Sequence, residues 1–302
     1  MLITQSTKSG DVAAAGYRGR FAPSPSGPLH LGSAVAAIAS WLDARAHDGE
    51  WLLRIDDLDP PRCVPGASDA ILQTLHRLDL EADEPVVFQS TRTDRYRETF
   101  ATLRSDGALF ECACSRKQTG PGPYPGTCRH GLAAGRNARA TRVIVDSVHL
   151  DFNDRWCGCQ EVDVEQAVGA FIIRRADGLF AYHLATVVDD SDANISHVLR
   201  GVDLLTSTAP QIHLQNQLGL RVPNYGHFPV VCNTQGQKLS KQSHAASIDT
   251  LASSEIWHFA LHFLGLIGNF ELVDASINDY KLVGVERWRK ANPSPMQAHR
   301  RT

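Results

Sequence analysis

The chain has 302 residues, 43% of them hydrophobic and 21% charged, with a formal net charge of −3. That is the balance of a soluble globular protein, long enough for one large domain or two smaller ones. It excludes several classes: no apolar run reaches membrane-spanning length, no basic and apolar leader reads as a secretory signal, and an odd count of seven cysteines argues against a disulfide framework. A cytoplasmic location and no membrane association follow by default. The weak net charge does not advertise nucleic-acid binding, which needs only a locally basic surface.

In chain order, residues 1–16 read as a flexible leader. Residues 17–22 read as a short strand that runs into the turn Pro23-Ser24-Pro25-Ser26-Gly27-Pro28. The Ala-rich run from Ala34, free of internal Gly and Pro and stopped by Gly49, predicts a helix to about His47. Trp51 to Ile55 is a short apolar run and predicts a buried strand. Strand, helix and strand in so short a span make a βαβ unit and a parallel sheet, whose ligands bind at the carboxyl ends of strands. A helix that starts just after His30 also points unpaired N–H groups, and the positive end of its dipole, at an anion.

Further along, Ile71, Leu72, Leu75 and Leu78 predict an amphipathic helix over 68–80, and a second helix is predicted over 93–109. Residues 112–131, with Cys112, Cys114, Cys128 and many Gly and Pro, form an insert too irregular to stabilise itself. Val143 to Phe152 reads as β, with Cys157 and Cys159 in a polar loop after it. Phe171 to Arg175 and Leu179 to Ala185, around Ala176-Asp177-Gly178, predict a β-hairpin that carries Tyr182. Val198 to Leu205 is a strand entering a turn, 209–218 a helix, Phe228 to Cys232 a short strand and 254–266 a helix. The remainder reads as a polar tail with marginal helical content.

Two motifs frame the chain. His30-Leu31-Gly32-Ser33 resembles the HIGH signature of class I aminoacyl-tRNA synthetases, and Lys238-Leu239-Ser240-Lys241-Gln242 resembles their KMSKS loop, with Leu and Gln in place of Met and the final Ser. Together with Arg20 to Gly27, Leu53 to Arg62 and Val198 to Leu205, they resemble the glutamyl branch over roughly residues 17–265. The sequence beyond the lysine loop runs only to Thr302, so the chain is identified as similar to the truncated glutamyl-queuosine tRNA(Asp) synthetase family. The resemblance implies an α/β fold: a Rossmann-like catalytic domain with a zinc-containing insert, a short helical C-terminal region and no anticodon-binding domain. The expected divisions are 1–16 leader, 17–111 first catalytic half, 112–165 insert, 166–235 second catalytic half, and 236–302 lysine loop with C-terminal region.

The chemistry implied is ATP-dependent activation of L-glutamate without tRNA, then transfer of glutamate to the queuosine base of tRNA(Asp) by a monomer. His30 and Lys241 are the expected catalytic groups. His30, Gly32, Ser33, Lys238 and Lys241 would bind ATP, with Mg2+, and Ser33 can cap the helix. Arg20 and Arg200 are the forks for the two glutamate carboxylates, in an order left open, with Ser24 and Tyr182 adding hydrogen bonds. Asp56 matches an acidic position that contacts the ammonium, where most of the family pattern carries Glu and reaches one methylene further. The acidic cluster can equally cap a turn, a reading most open for Asp57 and Asp59. Cys112, Cys114, Tyr124 and Cys128 resemble the family's structural zinc site. His130 can replace Tyr124, Cys157 and Cys159 can complete a four-cysteine site with Cys112 and Cys114, and free thiols are the remaining alternative. Two other functions stay open: a shortened glutamyl-tRNA synthetase, and a non-catalytic synthetase-like tRNA-binding protein.

Overall fold

The computed structural model describes residues 4–6, 16–231 and 248–291. Lys238 and Lys241 lie outside the described residues.

The site is built on parallel strands. β2 (Arg18–Phe21), α1 (Leu31–Ala46) and β3 (Glu50–Ile55) form the expected βαβ unit, with Arg20 opposite Leu52 in a parallel ladder, and β4 (Val87–Phe88) extends it beyond β3. Gly49 makes the return tight: a Cβ there would lie 2.4 Å from the Tyr17 carbonyl oxygen, a contact only glycine avoids. On the other side, β10 (His197–Gly201) pairs in parallel with β11 (Asn224–Phe228). It meets β2 where Ser196 donates its N–H to the Arg18 carbonyl at 2.9 Å. The strand ends at Phe21, Arg54 and Gly201 border one cavity. α2 (Ala67–Arg77) buries the predicted apolar face.

Several expectations shift. α3 (Thr93–Ser105) ends four residues early, because the chain turns at Gly107, with φ of 70°, and enters β5 (Leu109–Cys112). The predicted β segment over 143–152 is two strands in different sheets. β6 (Ala140–Val143) pairs with β5 and with β9 (Ile172–Arg174), while β7 (His149–Asp154) makes a hairpin with β8 (Gly158–Asp163). Cys157 is therefore in a hairpin turn and Cys159 in a strand, and the one-turn helices α4 (Arg116–Thr119) and α5 (Val164–Ala167) follow β5 and β8. Part of the supposed leader, β1 (Thr4–Ser6), pairs with β7.

The predicted hairpin around Asp177 has one pairing beyond the turn, Arg174 with Phe180. Tyr182 then starts helix α6 (Tyr182–Asp192), so it stands at a helix N-terminus rather than on a strand. The Ala176-Asp177-Gly178 turn between two apolar runs suggests a hairpin, but Leu184, Val187 and Val188 are buried at helical spacing. The strand expected over 228–232 lies four residues earlier, as β11. α7 (Thr208–Gln217) and α8 (Ser253–Phe263) fall close to expectation.

The supposed polar tail holds a full helix, α9 (Ile277–Ala291). Tyr280, Gly284 and Trp288, spaced by four, form its buried face against α1 and α8. A Cβ on Gly284 would lie 2.9 Å from a Leu42 methyl, so glycine sets the helix spacing. The indole of Trp288 donates to Asp43 at 2.9 Å. Asp43, fully buried in α1, also accepts from Tyr17 at 2.5 Å and from both Nη atoms of Arg155. No helix among the described residues is long and apolar enough to cross a membrane.

Trp288→Ala removes a buried indole and one partner of a buried carboxylate. Urea unfolding at neutral pH should show a loss of about 3–5 kcal/mol; a variant as stable as the parent would show that α9 is not part of the core.

Candidate active site

His30 is the residue just before α1, with extended backbone. Its Nδ1 accepts the Ser33 N–H at 3.2 Å, and its Nε2 lies 3.0 Å from the Ser33 hydroxyl. The imidazole, not Ser33, is thus the N-cap, a correction to the expected division of roles. Since Nδ1 accepts, the proton of the neutral ring sits on Nε2. His30, Gly32 and Ser33 line a cavity of about 630 Å³, and so do Arg20, Ser24, Asp56, Tyr182 and Arg200. The fold therefore gathers eight of the expected substrate-site residues around one space of a size that suits small-molecule ligands.

Beneath this cavity lies a set of buried charges. Arg20 donates Nε and Nη2 to Asp190 at 3.1 and 2.9 Å. Arg54 stands two residues beyond the partner of Arg20 and so faces the same side of the sheet. It donates Nη1 to Asp190 at 2.6 Å and Nε to Asp56 at 2.7 Å. Asp189 completes the floor, accepting from Arg92, Gln89 and Tyr96. Burial alone would raise the Asp190 pKa, but the charges and hydrogen bonds of Arg20 and Arg54 overcome it and lower it to about 2. For Asp56 burial prevails over Arg54 and Arg20, and its pKa is raised. A cationic group entering beside Asp56 would reverse that shift.

Arg200 differs from both other arginines. Its Nε donates to His227 Nε2 at 2.9 Å, its Nη2 to the Thr208 hydroxyl at 2.8 Å, and its Nη1 to the Tyr182 hydroxyl at 3.5 Å. It makes no ion pair among the described residues, so a buried positive charge at the cavity wall awaits an anionic ligand. Asp57 is occupied as a turn cap, accepting the Ser90 N–H at 2.8 Å and hydroxyl at 2.7 Å. Asp59 pairs with Arg175 at 2.9 Å and with Arg62.

The insert brings Cys112, Cys114 and Cys128 together with all sulfurs within 4.8 Å of one another. Cys114 and Cys128 sulfurs are 3.6 Å apart. The Tyr124 hydroxyl lies 3.4 Å from Cys112 and 3.6 Å from Cys114. Three sulfurs and one phenol oxygen converge in a group that can hold a metal ion. His130 is exposed and does not join the cluster. Cys157 and Cys159 do not join it either: the Cys157 thiol donates to the His227 carbonyl at 3.5 Å, and burial together with nearby Asp154 raises its pKa to about 11.

Sequence reasoning assigned no role to Arg54, Asp189, Asp190, Asp154, Thr208 or His227. A signal existed for the first: an arginine inside the apolar strand Trp51 to Ile55 must find a buried partner. The others become visible only when distant segments meet.

The chain is similar to several known proteins. The family described as tRNA synthetases class I (E and Q), catalytic domain, matches residues 17–119 and 130–269. The interruption falls within the cysteine insert and contains Tyr124 and Cys128. The glutamyl-Q tRNA(Asp) synthetase of Aromatoleum aromaticum is 49% identical over 95% of this chain and 94% of its own length. That of Cupriavidus metallidurans is 50% identical over 86% of this chain and 88% of its own. A crystal structure of a glutamate tRNA ligase from Elizabethkingia meningosepticum, in complex with its amino acid, shares the fold with a TM-score of 0.73 at 22% identity. That likeness covers 93% of this chain and 66% of the ligase.

Asp190→Asn would leave two buried guanidinium groups short of a countercharge. At pH 7 the expected loss of stability is about 3–5 kcal/mol. Because the folded-state pKa of Asp190 is depressed to about 2 from 3.8, its stabilisation is present above the unfolded value and fades as pH falls through the folded one. Denaturant unfolding of parent and variant should therefore show a gap at pH 7 that narrows between about pH 4 and pH 2; a gap independent of pH would contradict the assignment.

Proposed function

Since this chain belongs to the class I tRNA synthetases of the glutamate and glutamine type, among the glutamyl-Q tRNA(Asp) synthetases, we propose that it activates L-glutamate with ATP and transfers it to the queuosine base of tRNA(Asp). The observation that carries this reading is that one cavity is lined both by Arg200, a buried cation with no carboxylate partner among the described residues, and by Asp56, a buried carboxylate that shares its arginine with Asp190. Glutamate carries the complementary groups. Arg200 and the Nη1 side of Arg20 receive its carboxylates, Asp56 receives its ammonium, and Ser24 and Tyr182 add hydrogen bonds.

In the first half-reaction a glutamate carboxylate oxygen attacks the α-phosphorus of ATP, supplied as its magnesium complex, and the bond to pyrophosphate breaks. Charge accumulates on phosphate oxygens. His30 and the N-terminal end of α1 face them, and Gly32 and Ser33 border the nucleotide. Lys238 and Lys241, by resemblance, supply positive charge to the departing pyrophosphate. In the second half-reaction a hydroxyl of the queuosine diol attacks the activated carbonyl, its proton is lost and AMP departs. Holding both reactants in one cavity supplies the orientation that such steps need.

The direct test uses radiolabelled glutamate with tRNA(Asp) prepared with and without queuosine, followed by nuclease cleavage that separates the anticodon arm from the 3′ end. Label is expected only on the anticodon fragment of the queuosine-containing tRNA, and to be prevented by prior periodate oxidation of the diol. Label at the 3′ end of tRNA(Glu) would indicate a shortened glutamyl-tRNA synthetase. No label on any tRNA would indicate a non-catalytic binding protein.

The cysteine cluster fits one structural Zn2+. Bonds of about 2.3 Å in a tetrahedron place two thiolate sulfurs about 3.8 Å apart, close to the 3.6 Å between Cys114 and Cys128. With Tyr124 as fourth ligand no open position remains for catalysis, and the ion would hold the insert in shape. Metal analysis should find one zinc per chain, with Cys114→Ser losing zinc and melting lower. Full zinc occupancy in that variant would exclude this ligand set.

A further inference from the structure

An arginine that binds a substrate carboxylate must be oriented, and it keeps most of its charge for the substrate when neutral groups do the orienting. The two arginines of the cavity floor are oriented by carboxylates: Arg20 by Asp190, and Arg54 by Asp190 and Asp56. Arg200 is oriented by neutral groups. Arg200 of β10 and His227 of β11 are direct partners in the parallel ladder, and the imidazole is wholly buried.

The hydrogen bonds fix which proton is where. Arg200 Nε is a donor, so His227 Nε2, 2.9 Å away, must carry a lone pair. The ring proton therefore sits on Nδ1, which donates to Asp154 Oδ2 at 2.5 Å. Asp154 is held as an acceptor by its other oxygen, which takes the N–H groups of Trp156, Cys157 and His227 at 3.0, 2.8 and 3.1 Å. All donation runs one way, from Arg200 through His227 to Asp154. Burial lowers the His227 pKa and favours the neutral ring that this direction requires. Asp154, against the effect of its own burial, is held below the usual carboxylate range by these donors. The carboxylate thus sets the tautomer from one imidazole away, and the guanidinium keeps its charge for the cavity. Thr208, accepting from Nη2, fixes the plane of the fork.

We propose that His227, locked by Asp154 in the Nδ1-protonated form, is a positioning residue that aims Arg200 at a glutamate carboxylate and sets the affinity for glutamate but not for ATP. The proposal rests on the reading of Arg200 as a substrate fork, and the test separates the two.

ATP–pyrophosphate exchange is measured with glutamate and ATP varied in turn, on variants shown to be folded by thermal unfolding. Asp154→Asn is nearly isosteric and can still accept the three backbone N–H groups. Its amide would donate to His227 Nδ1, moving the ring proton to Nε2, where it would face the Arg200 donor. The expected result is a KM for glutamate raised about tenfold or more, the scale of a lost hydrogen bond to a charged group, with the KM for ATP unchanged. His227→Leu, which removes both ends of the relay, should do the same and serves in place of Asp154→Asn if that variant does not fold. His227→Gln, whose amide can accept from Arg200 and donate to Asp154, should recover most of the affinity that His227→Leu loses. An unchanged glutamate KM in Asp154→Asn or His227→Leu overturns the relay, and so do glutamate and ATP KM values that rise together. Arg200→Lys is the control: if it leaves the glutamate KM unchanged, the substrate reading of Arg200 fails, whatever the relay does.

Discussion

Asp190 bridging Arg20 and Arg54 is the interaction on which the rest of the site depends. The two arginines stand on neighbouring parallel strands and face the same side, so their charges would repel in a medium that screens poorly. One carboxylate from α6, far away in sequence, accepts from both. Removing it would leave charge buried without compensation, which is why such lattices tolerate little change. Two carboxylates, Asp190 and Asp56, balance the two arginines of the floor. Asp56 shares Arg54 and keeps capacity for a cation at the cavity wall. Arg200 stands outside this balance, tied to neutral partners among the described residues. The cavity therefore presents one acidic and one basic pole in a rigid frame. That polarity suits an amino acid with a second carboxylate before any contact with nucleic acid is considered.

The first βαβ unit, the helices α7 and α8 and the gathering of the substrate residues were legible in the sequence. Periodicity and turn chemistry carry the elements, and short motifs carry the site. Where reading failed, tertiary context overrode local pattern. Tyr182 follows the Ala176-Asp177-Gly178 turn, which favours a hairpin, yet Leu184, Val187 and Val188 bury as one helix face. Charged residues are interleaved with the apolar ones along α9, and a glycine stands in its buried face of Tyr280, Gly284 and Trp288, so that face looks weak until it meets α1. Asp43 is the clearest case. Nothing in an Ala-rich helix announces that an aspartate will be wholly buried, but Tyr17, Arg155 and Trp288 bring it donors from three other parts of the chain.

His30 shows a different limit. Its place at the start of a helix follows from the turn before it, and the motif marks it as functional. Which residue caps the helix does not follow, because serine is the more usual cap. The structure gives that task to the imidazole, which also settles its tautomer and sets Nε2–H against the Ser33 hydroxyl. The same logic governs His227 one layer deeper, where the opposite tautomer is imposed. In both rings the function of one nitrogen is set by what the other one touches.

The central claim is that the chain alone builds a complete site for glutamate and ATP. Exchange of labelled pyrophosphate into ATP, with no tRNA present, tests it most directly. The account predicts exchange that depends on glutamate and is not supported by aspartate or glutamine. Exchange that appears only when tRNA(Glu) is added, or that is absent under all conditions, would contradict it.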